Sequence, residues 1–307
     1  MTAGAEKPRL PWSTTGARLH WPRDGHLAYV VGRMGVARSV DIAPLLYGSP
    51  GACRIGFARL QRLGLLRMFP RANLAEHGWY GLSQEASAWV AEAMGCEDHE
   101  LRVVHGVSRM NLGAVRDRNR LWVSAVMASR ATEGVRVALV RPEWELRRAR
   151  QAGTRLVPDL QLVLETTTAN GPVEVVWFVE LDAGTERLAV IEAKAHAYLD
   201  AERPGALYGE RAWRVVVLVP SLRRARSVAG AVTRAAGGGR VWVAVQAELE
   251  DGRAFESRLW RCDELSAAPK SDARWSLVGD STPIHDLDLR VRSAADRGCS
   301  DESREVP

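Results

Sequence analysis

The apolar residues of this chain follow a helical period in its first half and a strand period in its second. In HLAYVVGRMG, Leu27, Val30, Val31 and Met34 fall at i, i+3, i+4 and i+7, which predicts a short helix with one buried stripe. SVDIAPLLYG predicts a second helix, with Ser39 as its cap and Pro44 near its first turn. Ser49-Pro50 opens a third, in which Cys53, Phe57, Leu60 and Gly64 share a face while Arg54, Arg59 and Arg62 point mainly the other way. Two short apolar runs, Leu63 to Phe69 and Trp79 to Ser83, flank a polar loop and read as paired strands. Ser83 then caps SQEASAWVAEAMG, a helix ending at Gly95. Three helices followed by a hairpin predict a winged helix-turn-helix, whose third helix enters the major groove and whose wing touches the backbone or minor groove.

Residues 101–155 read as a basic helical connector, with Leu112, Val115, Leu121, Trp122, Ala125 and Val126 at helical spacing and Arg116, Arg118, Arg120 and Arg130 on other faces. Those arginines either extend a phosphate-binding surface or pack between domains. From Leu156 the period changes. LVPDLQLVLE is a strand, Asn170-Gly171 marks a tight turn, and EVVWFVEL is the returning strand. A helix from about Glu186 to Leu199 follows, then the continuously apolar strand WRVVVLVP, the helix SLRRARSVAGAVTRAA, the strand RVWVAVQAEL and an edge strand in SRLWRC. This order predicts a mixed sheet whose later strands run parallel through helical crossovers. The expected organisation is a loose leader over 1–24, a winged helix over 25–100, the connector, an α/β domain over 156–265 and a disordered tail over 266–307.

Composition narrows the class. With 307 residues and 46% hydrophobic content the chain has material for two cores. No segment approaches the roughly 18 uncharged apolar residues of a membrane span, and MTAGAEKPRLPW lacks a secretory h-region, so a cytoplasmic location without membrane partners is expected. Cys53, Cys96, Cys262 and Cys299 lack disulfide or zinc spacing. Lys7, Lys194 and Lys270 are the only lysines, and the formal charge is +5. Arg33, Arg38, Arg54, Arg59, Arg62, Arg67 and Arg71 face a single acid, Asp41, in their stretch, a basic patch that suits double-stranded DNA.

Acids gather where the second period begins. Asp159 opens one strand of the expected hairpin, and Glu180 and Asp182, at i and i+2, end the other on a common face, with Glu186 just beyond. Ionised carboxylates this close repel, and either a divalent cation such as Mg²⁺ or Mn²⁺ or connector arginines would relieve them. Asp182 or Thr185 also suits a helix cap, with Glu186 at the positive end of the helix dipole.

PDLQLVL, FVELDAGTE and the helix reaching Tyr198 together resemble the bacterial and plasmid replication-relaxation family, over about Gly25 to Trp260. The resemblance implies a role in plasmid or mobile-element replication, replication proteins as further partners, and a C-terminal domain similar to the PD-(D/E)xK, restriction-endonuclease-like fold. On that likeness Asp159 and Glu180 would be metal ligands, joined by Asp182 as a third carboxylate. Glu145 would be a preceding helix acid. Asp182 occupies the lysine position, which leaves Lys194 on the next helix as a displaced lysine.

The expected function is DNA binding by Arg54, Arg59, Arg62, Arg67 and Arg71, with a nuclease-like domain whose catalytic set would be Asp159, Glu180 and Lys194. The alternatives are an active metal-dependent DNA nuclease and a winged-helix regulator or protein-interaction adaptor.

Overall fold

The computed structural model describes residues 19–20, 22–69, 77–107, 110–149, 156–168, 171–201, 207–208, 210, 213–236, 241–249, 254–255 and 259–267. The chain divides into two compact units, Met1–Val123 and Ser124–Pro307.

The first unit runs α1 (Arg23–Met34), β1 (Val36–Arg38), α2 (Ser39–Leu46), α3 (Pro50–Arg62), β2 (Leu66–Phe69), β3 (Trp79–Leu82) and α4 (Ser87–Met94), and α5 (Leu112–Ala131) begins in it. Its three strands form an antiparallel sheet in the order β1-β3-β2. This is the element order of a winged helix, as the helical and strand periods predict. Leu27, Val31 and Met34 of α1 and Cys53, Phe57 and Leu60 of α3 are buried, as their spacing requires. Burial pushes the Cys53 thiol up to about 12, which leaves it a packing residue.

The local caps differ from expectation in instructive ways. Ser49 caps α3 by accepting from the Ala52 amide, with Pro50 in the first turn. Ser39 is the first helical residue of α2 and extended Arg38 takes the cap position, its guanidinium reaching Asp41. Pro44 stands inside α2, toward its end. Ser83 donates to the Gly64 carbonyl at 2.5 Å instead of capping, and α4 starts only at Ser87. Gly64 lies beyond α3, with φ +74°.

The second unit holds β4 (Val135–Pro142), α6 (Glu143–Arg148), β5 (Leu160–Thr168), β6 (Gly171–Leu181), α7 (Leu188–Asp200), β7 (Arg214–Val219), α8 (Leu222–Ala236), β8 (Val241–Val245), β9 (Leu259–Arg261) and α9 (Cys262–Ala267). These six strands build one sheet in strict chain order, β4-β5-β6-β7-β8-β9. β4, β5 and β6 pair antiparallel, β6, β7 and β8 parallel, and β9 closes the edge antiparallel. The result is the expected α/β mixed sheet, with one correction. The connector is not helical throughout: after α5 it supplies edge strand β4 and short helix α6. The expected 266–307 tail lies outside the described residues from 268 on, and Ser266 and Ala267 complete α9.

Alternation along the sheet decides where chemistry sits. Val176 and Phe178 of β6 pack with Ile191, Ala195 and Tyr198 of α7 and with Ala225, Val228, Ala229 and Val232 of α8. By the period of two, Glu180 projects from β6 onto this same helix-covered face.

Candidate functional site

Glu180 is the penultimate residue of β6, carried into an otherwise apolar layer by the strand that makes the core. Its neighbours offset the burial. Tyr198 of α7 donates its hydroxyl to Oε1 at 2.6 Å, and Lys194, one helical turn earlier, places Nζ 3.0 Å from Oε2. Lys194 also reaches Glu186, at 3.1 Å, so one ammonium serves two carboxylates.

Asp159 stands just before β5, where the Leu160–Val179 pairing continued by one residue sets it opposite Glu180. It fastens the strand ends: its amide donates to the Val179 carbonyl at 3.0 Å, and its Oδ2 accepts the Leu181 amide at 2.8 Å.

Asp182 follows the end of β6 with its side chain buried. Arg224 of α8 donates to its Oδ2 at 2.5 Å and to the Glu186 carbonyl, and the Gly184 amide donates to its Oδ1 at 2.9 Å. In the sequence Arg224 is one arginine of SLRRAR, with nothing in its spacing to set it apart. The available signal was chemical: an acid at the end of a buried strand requires a cation or several donors.

Burial raises the Glu180 carboxyl from its ordinary 4.5 to about 7; Lys194 pulls against that, nearby Asp159 adds to it, and the Tyr198 hydroxyl opposes it. Lys194 behaves differently. Burial alone would lower it, but Glu180 and Glu186 outweigh that and hold it above its ordinary value. The contrast follows from exposure, since the lysine side chain is 36% exposed and that of Glu180 only 9%. Glu180, Asp182, Glu186, Lys194 and Tyr198 border a small recess that is partly open to solvent and otherwise lined by aliphatic residues of α7, β7, α8 and β8.

The expected carboxylate triad for Mg²⁺ or Mn²⁺ does not assemble. Among the described residues no three His, Cys, Asp or Glu side chains come together in a way that could hold a metal ion. Both Glu180 oxygens face Lys194 or Tyr198, and Asp182 faces Arg224. Asp182, expected as a metal ligand at the lysine position, is therefore one half of an ion pair. Glu145 lies on α6 and pairs with Arg141 at 3.6 Å.

The five arginines expected to meet DNA separate into three groups. Arg54 and Arg62 lie on the exposed face of α3, and Arg67 is exposed on β2 with its guanidinium over the Phe69 ring. Arg59 corrects the expectation. It turns inward and pairs through both Nε and Nη2 with Asp24 of α1, which is fully buried. Arg71 falls outside the described residues.

A model of the family described as replication-relaxation matches residues 30–211. The chain belongs to the replication-relaxation family. The matched residues of this replication-relaxation protein run from α1 past α7, so they include α3, Asp159, Glu180, Lys194 and Tyr198 and stop before β7, α8 and Arg224. No curated protein matches. Among solved structures, a MepR-like protein complexed with pseudoligands is similar at 20% identity, over 33% of this chain and 70% of that one, with a TM-score of 0.23. No helix among the described residues is long and apolar enough to cross a membrane.

Proposed function

We propose that this replication-relaxation protein binds double-stranded DNA through α3 and β2, in the setting of plasmid or mobile-element replication. One observation carries the reading. The outward face of α3 presents Arg54, Ile55, Ala58, Gln61 and Arg62, and the helix PGACRIGFARLQR contains no acid. Ile55 is 65% exposed on the same face as the two arginines, where it is free to meet an apolar group of a ligand. Guanidinium groups suit phosphates and guanine edges, an amide suits adenine, and an aliphatic group suits the thymine methyl. Arg67 on β2 adds a phosphate contact from the wing.

Fluorescence anisotropy with labelled duplex DNA tests this. Affinity should fall steeply as salt rises, and Arg54→Ala with Arg62→Ala should weaken it several-fold. A chain that fails to retain duplex DNA at low salt, or retains it with no salt dependence, refutes the reading and favours a protein-interaction adaptor.

The second unit reads as nuclease-like in layout, with Asp159 beside Glu180 at the strand ends and Lys194 within 3.0 Å of the latter. Its acids are paired from within, by the Lys194 and Arg224 cations and a hydrogen bond from Tyr198, which supports a DNA-associated role without cleavage. Incubating supercoiled plasmid with the protein and Mn²⁺ tests this. Cleavage that disappears with Glu180→Gln would establish an active nuclease instead.

A further inference from the structure

Helix α8 carries a second basic face, on the unit that holds the acidic site. Its 15 residues, LRRARSVAGAVTRAA, include four arginines and no acid. The buried stripe of Ala225, Val228, Ala229 and Val232 fixes its rotation. Arg223, Arg226 and Arg234 therefore emerge on the solvent side and are exposed. Arg234 lies 3.8 Å from Glu192, itself partly exposed, whereas no acid of the described residues pairs with Arg223 or Arg226. Between these arginines stand Ser227 and Gly230, small residues that let a strand of phosphates approach the helix. From Arg223 to Arg234 the helix rises about 16 Å, over which one strand of B-form DNA presents about five phosphates.

The first turn of the same helix sends Arg224 the other way, into Asp182. Arg223 is therefore the chain neighbour of the residue that pairs with Asp182, which borders the recess.

We propose that the exposed face of α8 is a phosphodiester-backbone contact for duplex DNA, formed by Arg223, Arg226 and Arg234 and independent of the α3 surface. It rests on the DNA-binding reading but involves a different unit and residues outside the family match. Being made of guanidinium groups without a hydrogen-bonding pocket for bases, it contributes affinity without sequence preference.

Binding of the full chain to labelled duplex DNA across a salt series separates the two surfaces. Arg223→Ala with Arg226→Ala should lower the slope of log affinity against log salt by about 2, equally for unrelated sequences, and Arg223→Lys with Arg226→Lys should restore it. Both sites are exposed, so the melting temperature of each variant should match the wild-type and serves as the folding check. An unchanged slope in the alanine variant, with wild-type retention intact, overturns the α8 assignment alone. No retention by the wild-type chain overturns both surfaces.

Discussion

Arg224 Nε lies 2.5 Å from Asp182 Oδ2, joining the first turn of α8 to the end of β6 across 42 positions of sequence. The Asp182 side chain is 2% exposed, and that guanidinium is the cation that pairs with it. Arg224→Ala should therefore destabilise the second unit by about 3 to 5 kcal/mol, the cost of stranding a buried charge. Adding Asp182→Asn should recover much of this. Urea unfolding of the single and double variants measures both, and additive losses would show that the two residues act separately.

Glu180 gives the fold a pH dependence of defined sign. Its folded carboxyl titrates at about 7 instead of 4.5, so folding favours the protonated form. That contribution is complete below the unfolded value and is lost as pH rises through about 7. Glu180→Gln removes the loss, so its melting temperature should gain on that of the wild-type between about pH 5 and pH 7 and level off above that. A difference that stays flat over that range contradicts the assignment.

Tyr198→Phe deletes the hydroxyl that meets Glu180 Oε1 at 2.6 Å and leaves a buried acceptor short of a donor. The expected cost is about 1 to 3 kcal/mol. Because the hydroxyl favours the ionised carboxylate, the Glu180 titration, followed by carboxyl carbon NMR, should move further up. A downward movement would mean that the hydroxyl stabilises the acid form instead.

Arg59 and Arg54 should separate stability from binding. Arg59→Ala leaves Asp24 buried and uncompensated, for a loss of about 3 to 5 kcal/mol in chemical denaturation. Arg54→Ala should stay within about 0.5 kcal/mol of the wild-type and act on DNA affinity. Equal effects on stability would remove the distinction between the two faces of α3.

The elements with a clear period were legible from residue order: the three helices before the hairpin, the pairing of β5 with β6 and the crossovers through α7 and α8. Two strands escaped. β1 has three residues, too few to display alternation. β4, VRVALVRP, follows directly on a stretch with helical spacing and shows no clean alternation, and only its pairing with β5 settles the matter. At the site, Glu180 and Lys194 were visible as chemistry, but their meeting depends on α7 packing over β6. Arg224 comes from a helix two elements further on. Arg59 departs from its expected face because its partner, Asp24, closes a stretch that reads as a loose leader, and the reach of a long side chain is not fixed by the position of its Cα.

Strict chain order in the six-stranded sheet has a consequence for biosynthesis. Each strand lies beside the one made just before it, so the sheet can extend from β4 outward as the chain leaves the ribosome. A nascent chain released up to Val219 already holds four adjacent strands together with Glu180, Lys194 and Tyr198. Asp182 must wait. Its counter-charge emerges only with α8, so the last step in making the acidic edge of this domain is the arrival of a single arginine.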